Sequence, residues 1–304
     1  MAVMNRARFR KQLQEGLNAV FGLEYRRYPE EWRKVFAVES SRKSYEEDVL
    51  VVGLGGAQVK PEGEGVSYDS GAESWVARYM HETIALAFAI TEEAEEDGLY
   101  GRMGAKYAKA MARSLQHTKE VRGANVLNNG FDSNFAGGDG VELFSLVHPL
   151  WGGGVLANEP DTASDLSETS IEDMCIRVAK WTDDRGIPIS ARVEKLVLPP
   201  ELVFEGARLT MTQMRPGTAD NDINASKALG MIPGGCNVNH RLTDPDAWFG
   251  ITDVADGLKH MSRLSVRRGV EGDFETGNMR YKARERYSFG FTDPRGAYGN
   301  PGGG

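Results

Sequence analysis

The feature that most constrains this chain is a long helical repeat. Leu99, Met103, Tyr107, Met111, Leu115 and Thr118 recur every three to four residues on an alanine-rich background, the spacing of a helix with one apolar stripe. Thr91 stands where an N-cap belongs, and Glu92, Glu93, Glu95 and Glu96 follow it at the positive end of the helix dipole. Lys119 and Arg122 suit the far end, and Gly123 is the expected stop. A run of about 28 residues makes a rod about 40 Å long. Gly98, Gly101 and Gly104 weaken its first turns, so a kink or a late start is expected there. Just before it, Ile84, Leu86, Phe88 and Ile90 alternate with Ala85, Ala87 and Ala89, which predicts a strand with one bulky and one close-packing face.

Between Tyr45 and Tyr79 the pattern is strand-like at Val49 to Val52 and again at Val66 to Val76. The stretch between is rich in Gly, Pro and charge, with Gly53, Gly55, Gly56, Pro61, Gly63 and Gly65. Two apolar flanks around a polar excursion predict an extended hairpin standing off the body. Residues 5–21 carry Phe9, Leu13, Leu17, Val20 and Phe21 at helical spacing. After a loop-rich stretch to Asp165, a helix is expected over Ile171 to Asp184, stopped by Gly186, and another over Leu202 to Met211. Strands are expected at Lys195 to Leu198, ended by Pro199 and Pro200, and at Trp248 to Thr252. Arg280, Lys282, Arg284 and Arg286 alternate with Tyr281, Ala283, Glu285 and Tyr287, a long final strand with one basic face. The Pro- and Gly-rich tail from Asp293 to Gly304 reads as frayed.

A length of 304 residues suggests about two domains, and 40% hydrophobic with 26% charged residues is the composition of a folded protein. Residues 1–43 hold ten Lys or Arg against five Glu, so a basic arm precedes an acidic body in a chain of net charge −8. That balance speaks against a general nucleic-acid binder. Cys175 and Cys236 are far apart, with no disulfide framework or zinc spacing, and read as buried small hydrophobes of a reducing compartment. No secretory signal is seen, and the longest run without Asp, Glu, Lys or Arg, Leu143 to Asn158, is interrupted by Pro149 and Gly152 to Gly154. No membrane span is expected.

Motifs of catalysis are weak. Gly53-Leu54-Gly55-Gly56 follows a strand, but Gln58 stands where a dinucleotide loop needs its third glycine and no helix pattern follows. Neither a phosphate loop nor a Gly-x-Ser-x-Gly elbow occurs, and His81, His117, His148, His240 and His260 show no metal-site spacing. The acids from Glu92 to Asp97 suit an exposed helical turn. No catalytic, cofactor-binding or metal-binding residue is assigned, and no cofactor is expected.

The stretch after the long helix is more specific. It reads Asn125-Val126-Leu127-Asn128-Asn129-Gly130-Phe131, then Asp139-Gly140-Val141-Glu142-Leu143-Phe144-Ser145, then His148-Pro149-Leu150 and Gly154-Val155-Leu156-Ala157-Asn158. With Leu196-Val197-Leu198-Pro199-Pro200, Trp248-Phe249 and the closing Asp293-Pro294-Arg295-Gly296, this order resembles the tailed-bacteriophage major capsid protein family over roughly residues 35–300. The resemblance implies an α+β protein of the Hong Kong-type phage capsid fold, shared with encapsulin nanocompartments. The expected division is an N-terminal arm (1–44), an extended loop (45–80), a peripheral domain with the spine helix (81–163 and 263–304) and an axial domain (164–262).

The implied function is a non-enzymatic major capsid protein. It would self-assemble into pentamers and hexamers of an icosahedral shell around double-stranded DNA, in a virion made in the bacterial host cytoplasm. An encapsulin-like compartment and an unrecognised cytoplasmic enzyme are the alternatives. Implied partners are further copies of the chain, DNA on the inner face near Arg6 to Lys11, and separate scaffolding, portal and decoration proteins. About forty residues precede the extended loop, where many members carry a long scaffolding segment, so that segment is removed or supplied separately. Some members cross-link through Lys and Asn. Lys60 lies on the loop tip, but with no Asn or Glu to match it, an ordinary solvated lysine is expected.

Overall fold

The computed structural model describes residues 6–91, 100–215, 222–273 and 278–303. Two four-stranded sheets and one long helix organise them. The helix expected from the apolar repeat is α2, Tyr100–Asn128, after α1, Arg6–Tyr25. Ala108, Met111, Ala112 and Leu115 form its buried stripe, as their spacing requires. The proposed start at Thr91 with Glu92 to Glu96 lies outside the described residues. Gly123 does not end the helix. A Cβ there would lie 3.0 Å from the Cβ of Trp32, so this glycine lets the chain of Trp32 cross closely while α2 runs on to Asn128.

The first sheet has the order β1-β10-β11-β4, built from Ala37–Ser40, Leu258–Gly272, Met279–Phe291 and Glu82–Ile90. β1 is parallel to β10 and the other pairs are antiparallel. Tyr281 and Ala283 of β11 join Leu17 and Phe21 of α1 and the α2 stripe in one core, with Ile84 and Phe88 of β4 against it. Arg280, Lys282 and Arg284 alternate with them and are exposed on the opposite face, beside Ala85, Ala87 and Ala89. Among the described residues nothing covers the small face of β4. Glu285, on the helical side, accepts from the Tyr25 hydroxyl at 3.0 Å and from Lys119 Nζ at 3.2 Å, which ties α1, α2 and β11 together.

The second sheet has the order β12-β9-β7-β8, from Ala297–Asn300, Trp248–Thr252, Val193–Leu198 and Cys236–Val238. Leu196 and Leu198 face α3, Glu168–Ala179, through Ile171, Met174 and Val178. Val197, Phe249 and Ile251 face the opposite way, onto Trp32, Phe36, Leu127 and Phe144. Burial on both faces explains why residues 196–198 of β7 and the whole of β9 read as continuous apolar runs. Helix α4, Val203–Met211, follows β7, and the short α5 is Ala225–Ala228.

Two expectations are corrected here. α3 begins earlier, capped by Ser167, and ends at Ala179, because Trp181 leaves the helix to donate from its indole to the Ala157 carbonyl and Thr182 pairs with Pro188. The tail is not frayed. Arg295 is 3% exposed, held by Asp293 and Asp184, and β12 pairs with β9. The last strand is thus an edge strand of the second sheet.

Candidate assembly surface

The hairpin predicted between Tyr45 and Tyr79 is present, with β2, Tyr45–Val52, antiparallel to β3, Ala72–Met80, and a bulge between Val49 and Val51. Leu50, Val52, Ala77 and Tyr79 bury its root. Polar side chains then clamp that root to the first sheet. Lys259 of β10, 4% exposed at its side chain, reaches Asp48 of β2 at 2.5 Å, Asp256 at 2.7 Å and Glu39 of β1 at 3.2 Å. Thr292, just past β11, donates its hydroxyl to Asp48 at 2.6 Å, lies 2.7 Å from the Tyr79 hydroxyl, and accepts from the Trp75 indole through its carbonyl. One lysine and one threonine thus fix both strands of the hairpin. Sequence reasoning missed them, since neither belongs to a local pattern.

The tip, residues 53–71, has no regular structure. Its neck is closed by Asp69, which accepts from the Gly55 and Ser70 amides, and these donors hold its carboxyl below the ordinary range. Arg185 reaches the Ser70 carbonyl at 2.6 Å. Beyond this neck Val59 and Tyr68 are 93% and 98% exposed, with Leu54 and Val66 also open. The projection is glycine-rich and mostly polar, and its few apolar side chains have little cover from its own chain, as at surfaces that meet a partner.

The motif residues of the loop after α2 converge in one buried polar cluster. Asp139 lies 2.6 Å from His148 Nδ1, and His148 Nε2 lies 3.2 Å from Asn158 Oδ1. The Asn158 amide nitrogen donates to the carbonyls of Leu143, Pro294 and Ala297, while its oxygen accepts from the Ser145 amide. This asparagine therefore staples the loop to the end of the chain. Buried backbone groups outside regular structure need such partners, which is the physical content of the motif.

The residues considered for catalysis do not assemble. His81 contacts Ser41 and Ser288, His240 contacts Glu31, and His117 is exposed on α2. His260 is buried among Trp32, Tyr287 and Phe289, and burial, with Lys119 and Arg33 nearby, depresses its pKa to about 3. Burial pushes Cys175 up to about 11 and Cys236 upward, the wrong direction for a nucleophile. Gly53 to Gly56 lie in the hairpin tip, and the acids from Glu92 to Asp97 lie outside the described residues. Among the described residues no three His, Cys, Asp or Glu side chains could hold a metal ion, and no helix is long and apolar enough to cross a membrane.

Comparison with known proteins agrees with this picture. The family model described as phage capsid protein matches residues 76–300. No curated protein sequence matches the chain. Among solved structures, the capsid of cyanophage P-SCSP1u aligns with a TM-score of 0.57 at 10% identity, over 88% of this chain and 86% of that one. A virus-like particle from Pyrococcus furiosus gives 0.53 at 9% identity, over 94% and 98%. The capsid of Myoviridae phage XM1 gives 0.51 at 9% identity, over 89% and 90%. At such identities these likenesses show the fold, and the family match, which takes in well over half of the 304 residues, shows the kinship: the chain belongs to the phage capsid protein family, a structural protein of a virion shell and not an enzyme.

Proposed function

We propose that this protein assembles into pentamers and hexamers of an icosahedral shell that encloses double-stranded DNA, formed in the cytoplasm of a bacterial host. The observation that carries the reading is the hairpin, whose root is clamped and buried while its tip leaves Val59 and Tyr68 almost fully exposed. A rigid root with an unpartnered tip suits an arm that reaches another subunit. A tip that docks on a different part of a neighbouring copy makes a head-to-tail contact, the kind that builds a ring when its rotation closes.

In this reading the first sheet with α2 is the peripheral domain. The second sheet, β12 included, forms the axial domain with α3 and α4. Scaffolding, portal and decoration proteins are further partners of the shell.

The test is electron microscopy of the expressed protein, with scaffold if one is encoded beside it, followed by nucleic-acid extraction of nuclease-treated particles. Closed shells that protect double-stranded DNA are expected from infected cells. A strictly monomeric protein under all these conditions would overturn the reading, and particles filled with enzyme in place of DNA would move it to a cellular compartment on the same fold.

A further inference from the structure

Helix α2 has a charge pattern out of keeping with the rest of the chain. Among its 29 residues stand Arg102, Lys106, Lys109, Arg113, Lys119 and Arg122 against a single acid, Glu120, in a protein of net charge −8. Glu120 is buried, and Lys119 faces inward onto Glu285. Lys106, Lys109 and Arg113 are exposed, and none of them pairs with a carboxylate among the described residues.

Their spacing of three and four residues sets them on one stripe, opposite the buried Ala108, Met111, Ala112 and Leu115. From Lys106 to Arg113 the stripe rises about 10 Å. Beyond Arg113 it enters an open groove of about 550 Å³ that is lined by His117 and Arg241 but also by Glu31 and Glu120, so the acid-free stretch ends there. The basic residues Arg6 to Lys11 belong to α1, which packs on α2 through Leu17 and Phe21, in the same helical layer.

The row Lys106, Lys109 and Arg113, exposed and pairing with no carboxylate among the described residues, fits a polyanion of regular charge. Duplex DNA carries one negative charge per about 1.7 Å of its axis, and cations that neutralise its phosphates release counterions. The opposite face of the first sheet is also basic, at Arg267, Arg280, Lys282 and Arg284. There, however, Asp273 pairs with Arg280 and Glu271 lies directly across from it. The rows of Ala85, Ala87 and Ala89 beside these residues suit the close approach of protein more than phosphate.

We infer that the exposed stripe Lys106, Lys109 and Arg113 is a phosphate-backbone track, so that the helical layer faces the packaged DNA and the open sheet face looks outward. The inference rests on the shell reading and deepens it by giving the shell an inside and an outside.

The experiment measures binding of a 30-base-pair duplex to the purified subunit by fluorescence anisotropy, over a series of salt concentrations. The variants are the triple Lys106→Gln, Lys109→Gln, Arg113→Gln and, for the other face, the triple Arg267→Gln, Lys282→Gln, Arg284→Gln. Three lost phosphate contacts lower the slope of log affinity against log salt by about 2.7. A reduction of that order in the α2 variant is expected, with at least a tenfold loss of affinity and with the sheet variant close to the parent.

Loss from the sheet variant instead, equal loss from both, or no binding by the parent protein at low salt would overturn the track. Circular dichroism melts of both variants separate unfolding from lost contact, since all six side chains are exposed. Shell formation is scored apart, by electron microscopy of the same variants. A chain that binds DNA through α2 but never closes into shells would sink the shell reading alone.

Discussion

Lys259 Nζ lies 2.5 Å from Asp48 Oδ2 across 211 positions of sequence, and this contact joins the hairpin to the body of the subunit. Three carboxylates share that one lysine, and two of them, Glu39 and Asp256, are about half exposed. The interaction is therefore stronger than a surface pair but far from a fully desolvated one. Lys259→Met is expected to cost about 1–3 kcal/mol in urea unfolding. In a double-mutant cycle with Asp48→Asn the two changes should couple by about 1 kcal/mol. Strict additivity would show that the hairpin root is held by its apolar packing alone.

Glu120 supplies a pH dependence. Its carboxylate accepts from the amides of Glu31 and Trp32, at 3.0 and 2.9 Å. Burial, reinforced by the neighbouring Glu31 charge, outweighs those donors and Arg241, and raises its pKa from 4.5 to about 7. Between these two values the folded protein keeps a proton that the unfolded chain has lost. The contribution to stability is thus fully present below pH 4.5 and is lost as the pH rises through about 7. Urea midpoints of the parent and of Glu120→Gln should differ most in the parent's favour at pH 5 and less at pH 8. A gap that widens toward pH 8 would contradict this assignment.

Where the last turn of the chain crosses β10, two glycines meet backbone to backbone. A Cβ on Gly257 would stand 2.5 Å from the Gly296 Cα, and main chain cannot yield as a side-chain tip can. Gly257→Ala should destabilise the subunit by about 3 kcal/mol, at the upper end for overpacking, as read by thermal or urea unfolding. A neutral result would show that the tail lifts away from β10 in solution, contrary to the burial of Arg295.

Much of the architecture was legible because its signals are local. The alternation of Tyr281, Ala283 and Glu285 with Arg280, Lys282 and Arg284 gave β11 and its two faces, and the stripe through Met111 and Leu115 gave α2. Positions governed by distant partners were not legible. Gly123 resembles a helix stop until Trp32 is placed against it, and the tail resembles a frayed end until Asn158 and Asp184 hold Pro294 and Arg295. The 15-residue strand β10 escaped notice because a bulged register blurs its period, with shifts between Ser262 and Leu264 and between Leu264 and Arg267. The candidate surface was half readable. The hairpin followed from its composition, whereas its clamp at Lys259 and Thr292 arises from chain separations that no motif records.

Lys60 lies on the exposed tip, a place where a covalent bond to a neighbour could form. With Lys60 read as an ordinary solvated lysine, mature particles boiled in denaturant should run as one band near the 33.4 kDa monomer mass. A ladder of higher bands, abolished by Lys60→Ala, would establish a cross-link and contradict this expectation.

The central claim is that residues 53–71 leave their own subunit to build the shell. Loop-closure entropy rises only slowly with length, so replacing residues 54–70 by a short Gly-Ser turn should leave a soluble subunit that still melts cooperatively, yet forms no closed particles. The most direct measurement is a cryo-electron-microscopy reconstruction of particles from the unaltered chain. The account predicts five- and sixfold capsomers with Val59 and Tyr68 covered by a neighbouring subunit. A tip folded back on its own subunit, or bare in solvent within a closed shell, would contradict it.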